Sequence, residues 1–165
     1  MDKISTSQEK IKYLYFLRED FDVLNTEINK IIDKIKEIGK EVGKSCQEGA
    51  ETFHDNFALE DSHRQQYMWS TRLRELINIK NQARVIDPKI GDKVSLGCTV
   101  TVKDENTGEV RVIKIGSFMV LKEHQGEVIS YNAPLGSMLV GGRVGDTKKA
   151  NISGKMKTLQ ILKIE

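Results

Sequence analysis

The chain has 165 residues, 38% of them hydrophobic and 30% charged, with a net charge of +2. That length allows one ordinary domain or two small ones, and the small net charge argues against bulk attraction to a polyanion. No apolar run approaches a membrane span, the polar start MDKISTSQEK carries no signal-peptide pattern, and Cys46 and Cys98 match no metal-ligand spacing, so a cytoplasmic chain with reduced thiols is expected.

The first half reads as helix. Leu14, Leu17, Phe21, Leu24, Ile28, Ile31, Ile35, Ile38 and Val42 follow one another at alternating spacings of 3 and 4, an uninterrupted heptad seam. A helix over residues 8–47 would be roughly 60 Å long, too long to hide its seam without a partner helix. Residues 57–84 supply one: Trp69, Leu73, Leu76 and Ala83 keep seam spacing, with Ile77 and Ile79 broadening the face. The expected structure is an antiparallel hairpin within a monomeric chain. A parallel homodimer through the first helix is the alternative.

The connection between the helices is acidic. Between Lys44 and Arg64 there is no Lys or Arg, but Glu48, Glu51, Asp55, Glu60 and Asp61 fall there. Gly49 is a plausible helix stop, and Thr52-Phe-His-Asp55 fits a capping box for the second helix. Such acids suit a helix N-terminus without further purpose. Two features add a functional reading: the carboxylates have no cation among them, and Phe53 and Phe57 flank Asp55. Glu51 and Asp55 are four apart, one helical turn, and together suit a divalent cation, but two carboxylates do not complete a Mg²⁺ site. His54 and His63 have no partners that would make them ligands or bases. Lys40, Lys44 and Arg64 are candidates to face phosphates, or ordinary solvated positions.

After Pro88 the period changes to two. Residues 94–102 and 109–115 alternate around an Asn106-Thr-Gly108 turn, a hairpin signal. Further strands fit 117–122 and 128–131, a short helix fits 135–140, and 148–152 with 157–164 read as a closing antiparallel pair. Gly141-Gly-Arg-Val-Gly145 matches no phosphate-binding pattern and reads as a turn. The fold class is α+β: residues 1–84 form the coiled-coil hairpin with its acidic tip, and residues 85–165 form a small antiparallel β domain, joined through 85–92. The basic excess also shifts at this boundary: residues 1–87 carry 14 Lys/Arg against 16 Asp/Glu, and residues 88–165 carry 12 against 8.

Four stretches carry a resemblance. Ala83-Arg-Val-Ile-Asp87, Leu96-Gly-Cys-Thr-Val-Thr-Val102, Ile129-Ser-Tyr-Asn-Ala-Pro-Leu135 with Leu139-Val-Gly141, and His54-Asp-Asn56 resemble motifs of the bacterial transcript cleavage factors GreA and GreB. The resemblance implies an FKBP-like C-terminal domain that docks beside the secondary channel of RNA polymerase, with Ser130, Asn132 and Pro134 in the docking loop. It implies a coiled coil that enters the channel and tip carboxylates that help hold the polymerase's Mg²⁺, the factor being neither a nuclease nor the owner of a cofactor. Asp55 takes the position of the family's second tip acid. Thr52 stands where the first belongs, so Glu51 is the candidate to act with Asp55, with Glu48, Thr52, Phe53 and Asn56 as support. Contact with the transcript 3′ end would be indirect. Other readings are a channel binder that inhibits or competes without cleavage, an FKBP-type prolyl isomerase or chaperone, and a dimerising scaffold.

Overall fold

The computed structural model describes residues 13–48, 57–89, 91–121, 126–152 and 154–165, apart from the side chains of 45–48 and 58. Two long helices dominate the first half: α1, Arg18–Glu48, and α2, Phe57–Gln82. With 31 and 26 residues they reach about 46 and 39 Å. They pack on each other within one chain, as the hairpin reading expected. Leu24, Ile28, Ile31, Ile38 and Leu76 are buried along the seam, with Phe21, Ile35, Trp69 and Leu73 beside them. Lys34 lies 4.4 Å over the Trp69 ring, its stem covering apolar surface while its ammonium stays wet. Ile79 packs on the seam, but Ile77 does not broaden it and is 39% exposed.

The helical reading is corrected at both outer ends. Leu14–Phe16 is a strand, β1, rather than the seam's first turn, and Ala83–Val85 is a strand, β2, rather than the end of the second helix. They pair in parallel, Leu14 with Ala83, Tyr15 with Arg84 and Phe16 with Val85. Leu14 and Phe16 are buried and Tyr13 and Tyr15 exposed, a two-residue alternation that competes with the heptad spacing of Leu14 and Leu17. Aromatic residues on a half-buried ladder favour the strand. Because β1 precedes α1 and β2 follows α2, their pairing ties the outer ends of the helices together. The inner ends, Glu48 and Phe57, lie at the opposite extreme of the hairpin.

The second half is a five-stranded sheet. Its strands are β3 Thr99–Asp104, β4 Val110–Gly116, β5 Glu127–Ser130, β6 Thr147–Ile152 and β7 Lys155–Ile164, in the order β5-β4-β3-β7-β6. A short helix, α3, Pro134–Leu139, lies between β5 and β6. Val100, Val102, Ile113, Ile115, Leu159 and Ile161 form the core with Val94, Leu96 and Leu139. Three strand expectations need correction. β5 runs parallel to β4, so the sheet is mixed rather than wholly antiparallel. Residues 94–98 bury alternate side chains but stay off the ladder until Thr99, because Gly97 turns the chain at a φ of 92°. Residues 117–121 form no strand: Phe118, Met119 and Leu121 pack on the hairpin core instead.

The β3–β4 turn is held by a buried carboxylate. Asp104 Oδ1 accepts from Asn106 N at 2.9 Å and Oδ2 accepts from Lys157 Nζ at 2.9 Å. The Lys157 bond, then the Asn106 N–H, hold the Asp104 carboxyl below its ordinary value of 3.8. A depressed folded value means stabilisation that is complete above the unfolded carboxylate range and disappears as pH falls through the folded value. Asp104→Asn is therefore expected to cost stability at neutral pH, with the wild-type advantage shrinking below about pH 4. Urea unfolding across pH checks this; a gap that stays constant down to pH 2 would refute it.

A buried hydroxyl helps to clasp the two halves. Leu17 sits at the N-cap of α1 and offers no polar side chain, yet the first turn carries Asp20 at the third helical position. In a capping box that acid would reach back to the N-cap N–H directly. Here Ser117, from the segment after β4, stands between them: its Oγ accepts from Leu17 N at 2.8 Å and donates to Asp20 Oδ2. Ser117 and Asp20 are both buried. Ser117→Ala would strand a buried carboxylate oxygen and an N–H, at an expected cost of about 2–4 kcal/mol by chemical denaturation.

Candidate functional site

The acidic window begins at the end of α1 and continues into α2. Glu51, Thr52, Phe53, Asp55 and Asn56 lie outside the described residues, as does the Glu48 side chain. What is described next to them is the first turns of α2. Phe57 is 75% exposed and, with Glu60, Asp61 and Arg64, lines an open pocket of about 400 Å³. The reading of this window as wholly unpaired acid is corrected at Asp61. Arg64, the first cation beyond it, lies one helical turn away and reaches Asp61 Oδ1 at 2.5 Å, while Gln65 donates to Oδ2 at 2.6 Å. The Gln65 bond first, then Arg64, draw the Asp61 carboxyl below its ordinary value. Asp61 is thus committed within its own helix, and Arg64 with it. Lys40 and Lys44 are exposed, with no ion pair to a described carboxylate. Among the described residues no three His, Cys, Asp or Glu side chains gather to hold a metal ion, and His63 is exposed. Cys98 is a free, buried thiol.

The second candidate region is the turn from β5 into α3. Ser130 ends β5, and its Oγ donates to Phe118 O at 3.0 Å and accepts from Asn132 N at 3.2 Å. Ser130 O accepts from Ala133 N, and Tyr131 N donates to Gly116 O, both at 3.0 Å. Pro134 opens α3, where its missing N–H costs nothing. The loop is rigid on this bonding, and it presents Asn132 and Pro134 to solvent while the half-buried Ser130 hydroxyl is spent holding it. Gly136 lets α3 lie directly on β5, since a Cβ there would meet Ser130 O at 2.1 Å. The two regions stand at opposite ends: the loop by the hairpin base, the acidic window at the inner ends of α1 and α2. Residue spacing did not reveal Ser117 and Asp20, whose meeting depends on a contact across 97 residues.

Residues 88–165 match the family model described as transcription elongation factor, GreA/GreB, C-terminal. Over the whole length, the chain is similar to the transcription elongation factor GreA of Zymomonas mobilis, 30% identical over 165 residues that cover 96% of this chain and 98% of that protein. The chain belongs to the GreA/GreB family. A GreA of Thermosipho melanesiensis is 27% identical over 94% of this chain and 99% of its own. Among solved structures, the GreA factor homolog 1 (Gfh1) protein of Thermus thermophilus is 20% identical, with 93% of this chain and 99% of that chain covered at a TM-score of 0.44. The family model covers the sheet half alone, and the alignments to whole GreA proteins extend over the helical hairpin as well. No helix among the described residues is long and apolar enough to cross a membrane.

Proposed function

We propose that the chain docks on RNA polymerase through its β domain, residues 85–165, and stimulates cleavage of backtracked transcripts with carboxylates at the hairpin tip. The observation that carries this reading is the separation of the two candidate regions. β1 and β2 tie the hairpin's base at one end, and helices of about 46 and 39 Å lead from there to Glu48 and Phe57, between which Glu51 and Asp55 fall in the sequence. A rod of that length with acid at its far end suits work inside a channel. Asn132 and Pro134, positioned by Ser130, provide the docking loop. Asp55 and Glu51 would hold a Mg²⁺ shared with the polymerase, which when bound supplies the charge that activates water. The reaction remains the polymerase's own, and the factor is no enzyme by itself.

A second reading has its own support. Thr52 is not ionisable, and Asp61 is committed to Arg64 and Gln65, so fewer acids are free than the window suggests. A channel binder that competes without cleavage would tolerate that loss. Stalled, backtracked elongation complexes incubated with the protein and Mg²⁺ separate the two. Transcript shortening supports the cleavage reading; binding without shortening supports the competitor.

A further inference from the structure

Three of the chain's four tyrosines meet at one place. Tyr13, just before β1, and Tyr15, within it, are each 42% exposed. Arg84 is the partner of Tyr15 in the β1–β2 ladder, and its guanidinium lies over the Tyr13 ring at 4.4 Å. Tyr131 comes from the loop after β5, with its ring centroid 6.1 Å from that of Tyr15 and its hydroxyl accepting from Tyr15 N at 3.1 Å. Four side chains from β1, β2 and the β5–α3 loop thus form one plate, next in sequence to the exposed Asn132.

Tyr131 is anchored on the sheet core, and the fold's own packing leaves Tyr13, Tyr15 and Arg84 exposed around it. Among the described residues Arg84 donates only to the adjacent Ala83 O, at 3.2 Å, and ion-pairs with no carboxylate. A guanidinium laid on an aromatic face is held extended with donors still open, so little conformational freedom is left to lose on binding. Tyr and Arg are also the residues on which interface energy concentrates.

We propose that this plate is a docking surface for an acidic polypeptide segment of the polymerase, with a carboxylate taken by Arg84 and the flanking chain resting on Tyr13 and Tyr15. The proposal rests on the polymerase reading above. Charge selects a polypeptide over a nucleic acid: the plate has one cation, whereas phosphate-backbone affinity needs several, and exposed Asp87 follows on the same joint. Because the plate draws on both halves, a partner seated there holds hairpin and sheet in one arrangement.

The test is equilibrium binding of the full chain to purified bacterial core RNA polymerase, with thermal melting of each variant alongside. Arg84→Ala is expected to weaken binding about tenfold, Arg84→Glu more, and Arg84→Lys less, all at wild-type melting temperature. Failure of the wild-type chain to bind would overturn the polymerase reading and the plate with it. Wild-type binding left unchanged by Arg84→Ala and Arg84→Glu would overturn the plate alone. A single-stranded RNA oligonucleotide is the control ligand: loss of RNA binding in Arg84→Glu, with polymerase affinity intact, would overturn the polypeptide in favour of nucleic acid.

Discussion

Asp55→Ala is expected to reduce transcript shortening by about 10²–10³-fold while leaving polymerase affinity unchanged, the loss typical of deleting one preorganised charge-stabilising group. Asp55 is the acid to test because it takes the position of the family's second tip acid. Thr52 cannot ionise, and Asp61 is bound by Arg64 and Gln65. Glu51 is the companion proposed for it, so Glu51→Ala should also slow shortening, and Thr52→Asp should raise the rate if a second acid is limiting. Binding is expected to be spared because the docking loop and the tyrosine plate lie at the hairpin's base, about 46 Å of helix from the inner end of α1. Shortening at the wild-type rate in Asp55→Ala would show that the acid is misplaced. Loss of binding and shortening together would show that tip and dock are not separate.

Gly136→Ala is expected to destabilise the β domain by about 3 kcal/mol and to weaken polymerase binding at the same time. An added Cβ would come to 2.1 Å from Ser130 O, a separation that real Cβ atoms essentially never show, and the obstacle is backbone, so no rotamer relieves it. Moving β5 away would strain the Ala133 N–H bond to Ser130 O and the Tyr131 N–H bond to Gly116 O, and with them the pose of Asn132 and Pro134. Gly39→Ala provides the contrast. It lies in α1 with nothing within 4 Å of a new Cβ, so the same substitution should stabilise by about 1 kcal/mol. Urea unfolding of the pair measures both signs; equal effects would refute the contact argument.

Much of this was legible from residue patterns. The seam from Phe21 to Val42 and its partner Trp69–Leu76 specify two packed helices, because a 3.6-residue period places every apolar side chain on one face whatever lies elsewhere. The β3–β4 and β6–β7 pairs follow as directly from alternation and short turns. The candidate site was legible in part: the acid window and the Ser130–Pro134 loop stand out in composition and motif, and Phe57 is exposed as expected. The pairing of Asp61 with Arg64 lay one residue beyond the window's edge and was missed for that reason.

Contacts between distant segments settled the rest. Tyr13–Leu17 satisfies a heptad and an alternation equally, and what resolves it is a ladder with Ala83–Val85, some 70 residues away, whose backbone bonds leave no trace in local period. β5 lies parallel to β4 because the segment from 117 to 121 crosses to pack on the hairpin before returning. The N-cap of α1 looks empty at Leu17 until Ser117 is brought to it, and Arg84 looks like any surface cation until Tyr13 is placed beneath it. Periodicity states which face of an element is apolar. It does not state what that face meets, because that is set by chain closure over long separations, and there the clasp and the plate arise.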